Sequence, residues 1–62
     1  MTPADIKKLR EDMGLTQERL ARELDISFST VNRWENGKSR PKGVFLRALE
    51  QFRAQAYRKE PA

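Results

Sequence analysis

The sequence predicts an all-α fold in a single small domain. Apolar residues recur at helical spacing in segment after segment. Gly and Pro, three of each, fall at the breaks between those segments and not inside them. At 62 residues the chain is near the lower size at which a domain folds without staples, and short helices pooling about a dozen apolar side chains suit that length.

Four segments carry the pattern. Thr2-Pro3-Ala4-Asp5 opens the first. Thr2 caps, Pro3 suits the first helical position, and Asp5 completes a capping box. Ile6, Leu9 and Met13 then form one apolar stripe, and Gly14 ends the helix as a left-handed residue. The expected helix covers residues 3 to 13. Thr16 caps a second helix over 17 to 24, whose buried face is Leu20, Ala21 and Leu24. Leu15 staples its entry, and the small Ala21 lets another helix cross closely. Asp25 takes the turn, where φ > 0 is tolerated at modest cost, and Ile26 pins that turn to the core. Ser27 caps a third helix over 28 to 35, with Val31 and Trp34 facing inward and Asn36-Gly37 as the stop. After Lys38-Ser39-Arg40-Pro41-Lys42, a basic loop, a fourth helix is expected over 43 to 57. Phe45, Leu49, Phe52 and Ala56 form its stripe, and Val44, Leu46 and Ala48 widen it. The domain is expected to span 1 to 57, with 58 to 62 as a frayed tail.

Composition removes several chemistries. With no Cys and no His, disulfides, zinc fingers, thiol nucleophiles and histidine acid–base catalysis are excluded. No apolar run reaches ten residues, which leaves no membrane span, and the N-terminus has no apolar signal region. The net charge of +4 is uneven. Residues 1 to 32 hold five basic and six acidic side chains, and residues 33 to 62 hold eight and three. A positive half beside two short helices joined by a tight turn points to a phosphate-bearing partner.

The stretch Leu15-Thr16-Gln17-Glu18, Leu20-Ala21, Leu24, Ile26-Ser27, Ser29-Thr30-Val31, Arg33-Trp34-Glu35-Asn36-Gly37-Lys38 and Pro41 closely resembles the Cro/phage-repressor (XRE-like) helix-turn-helix family. The likeness covers most of residues 5 to 50. It implies a four-helix, lambda-repressor-like domain that places its third helix in the major groove of double-stranded DNA. Two departures stand out. Most members hold Gly where this chain has Asp25, and the family's usual fifth helix, often used in dimerisation, is absent. A monomer in solution is therefore expected, with a dimer on a two-fold-symmetric site as the alternative. A monomer would read about 4 to 6 base pairs with one helix in one groove.

With Val31 and Trp34 facing inward, the outward set on the third helix is Phe28, Ser29, Asn32 and Arg33. Arg33 matches the O6 and N7 acceptors of guanine; the competing reading leaves it on a phosphate or in solvent. Asn32 either pairs with adenine or makes no base contact. Phe28 is either core fringe or, if exposed, suited to the C5-methyl of thymine. Ser29 is small enough for a base edge or a phosphate. By resemblance Gln17, Asn36, Lys38, Ser39 and Arg40 grip phosphates, with Lys42 beside them, and Arg10 on the first helix pairs with Glu35. Such phosphate contacts position a protein without reading sequence.

An enzyme is a poor alternative. Asp12, Glu18 and Glu23 fall on exposed faces with no His, Cys or phosphate-cradling loop. No catalytic residue, metal, cofactor or small-molecule substrate is expected. RNA binding lacks a stacking platform. A membrane-surface role for the fourth helix is less simple than a core role. The serious competitor is an antitoxin-like protein-interaction module on the same fold. An acidic or uniformly apolar third helix would favour that module, whereas Arg33, Asn32 and a basic loop favour DNA. The resemblance places such a regulator, natural or engineered as a module, in the cytoplasm, at a bacterial or phage nucleoid.

Overall fold

Each of the first three helices begins on a side-chain oxygen and ends on a left-handed residue. In the computed structural model, which describes residues 1–57, they are α1 (Pro3–Asp12), α2 (Gln17–Leu24) and α3 (Phe28–Glu35). A fourth, α4, spans Val44–Tyr57. The frayed tail expected at 58 to 62 lies outside the described residues.

The starts follow the cap chemistry. Thr2 Oγ1 accepts the Asp5 N–H at 3.1 Å, and Asp5 Oδ2 accepts the Thr2 N–H at 3.0 Å. Those bonds, the one from the Thr2 backbone foremost, hold the Asp5 carboxyl below its ordinary pKa. Thr16 and Ser27 accept the N–H groups of Arg19 and Thr30 in the same way.

The ends share one motif. Leu15 N–H donates to the Arg10 carbonyl and Gly14 N–H to that of Glu11. Ile26 repeats this to Ala21, with Asp25 to Arg22; Lys38 repeats it to Arg33, with Gly37 to Trp34. These paired bonds close a helix only if the residue past its end has positive φ. Gly14, Asp25 and Gly37 take φ of 71°, 62° and 76°. Asp25 is the only non-Gly residue with positive φ among the described residues, so the turn keeps its geometry without the Gly that most relatives of this type carry.

The core is Ile6, Leu9, Leu20, Ala21, Val31, Trp34 and Leu49, all at most 3% exposed. Met1, Met13, Leu15, Leu24, Ile26, Phe52 and Ala56 pack around it half-buried. α2 and α3 pair most extensively, and α1 spans from α3 to α4. Ala21 is buried on the α2 face where a larger side chain would push α3 away.

Two boundaries and one stripe position differ from expectation. α1 closes at Asp12, because Met13 is already its cap residue. α4 begins at Val44, because Gly43 has φ 58° and cannot be helical. Val44 is 73% exposed and does not widen the α4 stripe. At about 100° per residue it lies about 140° around the helix from Leu49, whereas Phe45 lies on the Leu49 side. Phe45 is itself 39% exposed, with its ring 6.1 Å from that of Trp34 at a tilt of 52°.

Trp34 therefore joins α3 to α4 as well as filling the core. Trp34→Ala is expected to lower the unfolding free energy by about 3–5 kcal/mol, most of what a domain this small possesses. Urea unfolding followed by far-ultraviolet circular dichroism checks this. An unchanged midpoint would show that Trp34 is peripheral.

Candidate DNA interface

α3 is amphipathic in a specific sense: Val31 and Trp34 are buried, and the opposite side carries groups with nothing apolar to cover them. Phe28 is 47% exposed, Ser29 and Arg33 are exposed, and Asn32 is half-buried. At 47% exposure Phe28 is not a buried core residue, and both readings, core fringe and base contact, fit that position. Its ring stands at the start of α3 on a shallow groove that Glu18, Ala21, Arg22 and Ile26 also line. The Ser27 hydroxyl lies 3.2 Å from that of Ser29 and 2.9 Å from that of Thr30, so Ser29 is tied to the cap that starts the helix.

Behind this face sits an ion pair. Arg10 Nε donates to Glu35 Oε2 at 2.7 Å and Nη2 to Oε1 at 3.0 Å. The guanidinium also donates from Nη1 to the Leu15 carbonyl at 2.9 Å. One side chain of α1 thus holds the end of α3 and the link into α2. The Glu35 side chain is only 5% exposed. Burial is the strongest single influence on it and pushes its pKa up. Hydrogen bonds from Arg10 and Gln17, with the charges of Arg10 and Lys7, outweigh burial and hold the carboxyl below its ordinary value. The hydrogen bond to Glu35 leads the causes that raise the Arg10 pKa.

The residues assigned to the interface divide into two groups. Gln17, Asn32 and Asn36 are hydrogen-bonded to one another and to Glu35. Gln17 Nε2 donates to Glu35 Oε1 at 3.0 Å, Asn32 Nδ2 to Gln17 Oε1 at 3.1 Å, and Asn36 Nδ2 to Asn32 Oδ1 at 2.9 Å. Arg33, Lys38, Arg40 and Lys42 are exposed and form no ion pair among the described residues. Ser39 is half-buried between them, ahead of the buried Pro41. From residue 28 to 43 the sole carboxylate is Glu35, and Arg10 neutralises it. The segment therefore presents four cations and no exposed negative charge.

Sequence reasoning missed the amide chain. Asn32 and Asn36 stand four apart on one helical face, which was visible. That Gln17 reaches them from α2 depends on the crossing of two helices. Among the described residues no cluster of His, Cys, Asp or Glu is arranged to hold a metal, and no helix is long and apolar enough to cross a membrane.

A sequence profile of the family described as Helix-turn-helix matches residues 6–52. The chain belongs to this family, in its XRE-type branch. As a helix-turn-helix protein it is similar to the HTH-type transcriptional activator BcrR of Enterococcus faecalis, at 36% identity over 47 residues. That alignment covers 76% of this chain and 23% of BcrR, so the chain spans about a quarter of that relative's length. No solved structure matches it significantly. The matched residues contain most of α1, all of α2 and α3 and the first part of α4, the portion that builds the exposed face.

Because folding lowers the Glu35 pKa, the ionised carboxylate stabilises the fold. That contribution is complete above the ordinary Glu value of about 4.3 and is lost as pH falls through the lower folded-state value. Glu35→Gln is expected to lower stability at pH 7 by about 3 kcal/mol, the low end for removing one partner of a buried pair. The gap from wild type should narrow on acidification below about pH 4. Thermal unfolding at a series of pH values measures it; a gap independent of pH would mean the pair carries no net charge interaction.

Proposed function

We propose that this chain binds double-stranded DNA sequence-selectively and thereby regulates transcription, with α3 in the major groove. The observation that carries this reading is the four-cation, carboxylate-free surface from 28 to 43 surrounding the exposed face of α3. Phosphates are its natural complement. Arg33, Asn32, Ser29 and Phe28 are the groups that meet base edges. Arg33 has five donors in a rigid fork and no competing partner within the fold, which suits guanine. Lys38, Ser39, Arg40 and Lys42 hold the backbone on one side, with Gln17 and Asn36 between the two sets. The work is positioning and reading, without catalysis, and its setting is the interior of the cell, where duplex DNA is found.

An antitoxin-like protein partner would call for an acidic or uniformly apolar α3 surface. The surface here is basic and mixed, and the one carboxylate in it is turned inward.

Selection from random duplexes followed by a binding titration is expected to enrich one short motif. Affinity for it should fall with salt at a log–log slope of about −3 to −4, the value for roughly four neutralised phosphates. Equal affinity for all duplexes would refute the proposal. In the same assay Arg33→Ala should relax preference at one base pair by about 1–3 kcal/mol, whereas Lys38→Ala should weaken every sequence alike and make the slope shallower by about one. Identical behaviour of the two variants would overturn the division of roles.

A further inference from the structure

The geometry points to Asn32 as an adenine-reading side chain whose amide is oriented, through Gln17, by the Glu35 carboxylate. The inference rests on the DNA-binding reading above and assigns Gln17 a role beyond the phosphate backbone.

An amide can face either way, since its oxygen and nitrogen ends are nearly the same shape. An ionised carboxylate removes that freedom, because it only accepts. Glu35 is ionised and fixed by the two bonds from Arg10. The end of Gln17 at 3.0 Å from Glu35 Oε1 is therefore its NH2 group. Its oxygen then faces Asn32 and takes the Asn32 Nδ2 donor at 3.1 Å. Asn32 Oδ1 is left to accept from Asn36 Nδ2 at 2.9 Å. One buried charge sets the polarity of three amides in series; the second, Asn32, lies on α3 and the third, Asn36, caps its end.

The hydrogen-bonding capacity that remains on Asn32 is definite. Nδ2 has two hydrogens and one is used; Oδ1 has two lone pairs and one is used. One donor and one acceptor remain free. In the major groove adenine offers the N7 acceptor next to the N6 donor, which is the complement. Guanine offers two adjacent acceptors and would leave the Asn32 oxygen facing another oxygen. Cytosine offers a donor alone, and thymine an acceptor beside a methyl group. An amide already held at both ends also loses less conformational freedom on binding. Arg33, with no such support, gets its orientation from the DNA.

Gln17 is then a positioning residue for base specificity. A backbone contact predicts that its loss weakens all sequences equally. The relay predicts that its loss weakens selectivity at the base pair that Asn32 reads. Duplex selections are run with wild type, Asn32→Ala, Gln17→Ala and the double variant, each checked for folding by circular dichroism. Gln17→Met, a near-isostere without donors or acceptors, serves as a second variant should Gln17→Ala unfold.

Asn32→Ala is expected to erase an adenine preference at one position. Gln17→Ala or Gln17→Met should reduce adenine-over-guanine discrimination at that same position by roughly fivefold or more, the factor for about 1 kcal/mol of bidentate selectivity. The preference attributed to Arg33 should persist. The double variant should lose no more at that position than Asn32→Ala alone, as coupled residues do. A Gln17 variant that binds all sequences more weakly while keeping the adenine preference overturns the inference alone. So does an Asn32→Ala profile with no change at any base. A wild-type protein that enriches no motif overturns the proposed function itself, and the inference with it.

Discussion

Glu35 ends α3 with its side chain turned into the bundle, and the fork of Arg10 closes on it from α1 at 2.7 and 3.0 Å. Much of the geometry depends on this contact. The same guanidinium holds the Leu15 carbonyl, just before α2 begins, so one side chain references three helices to each other. Replacing such a pair with apolar residues is often neutral or favourable for stability; what it supplies here is orientation. It also neutralises the only carboxylate of residues 28–43, a segment that otherwise carries Arg33, Lys38, Arg40 and Lys42. Fold and electrostatics meet in that contact. The residue that anchors the end of α3 is the one that would otherwise repel a phosphate.

The second constraint is the α2–α3 turn. Asp25 accepts a left-handed conformation, and the bonds of Asp25 and Ile26 back into α2 close that helix as Gly14 and Gly37 close their own. The turn aims α3 across α2 over the small Ala21. Burial of Val31 and Trp34 then fixes the rotation of α3 about its axis, and that rotation decides which four side chains face outward. The exposed face of α3, proposed above to read bases, is thus what remains after the core has taken its share.

Features encoded locally were legible in the sequence. Thr2, Thr16 and Ser27 cap because a hydroxyl stands just before a run of helix formers. Gly14, Asp25 and Gly37 stop because few residues accept φ > 0. The inward set on α2 and α3 followed from helical spacing, and the family resemblance supplied the pairing of Arg10 with Glu35. Features requiring two elements in register were not legible. Phe28 stood in the first turn of α3, where spacing alone allowed either side, and only packing shows it 47% exposed. Val44 is the exception: helical spacing alone sets it about 140° from Leu49, so its exposed place was readable from the sequence although it was assigned to the α4 stripe. The chain from Glu35 through Gln17 to Asn32 joins residues 15 and 18 apart in sequence, and no local pattern announces it.

In the proposed function the face of α3 flanked by the loop after it is the surface that meets DNA. A titration of the 15N-labelled domain with a selected duplex, followed by backbone and side-chain amide resonances, tests this most directly. The largest changes are expected at Phe28, Ser29, Asn32 and Arg33, in the loop from Asn36 to Lys42, and in the side-chain amides of Gln17 and Asn32. Gln51 and Gln55 on α4 should be nearly unaffected. Changes centred on α4, or spread evenly over the domain, would contradict it.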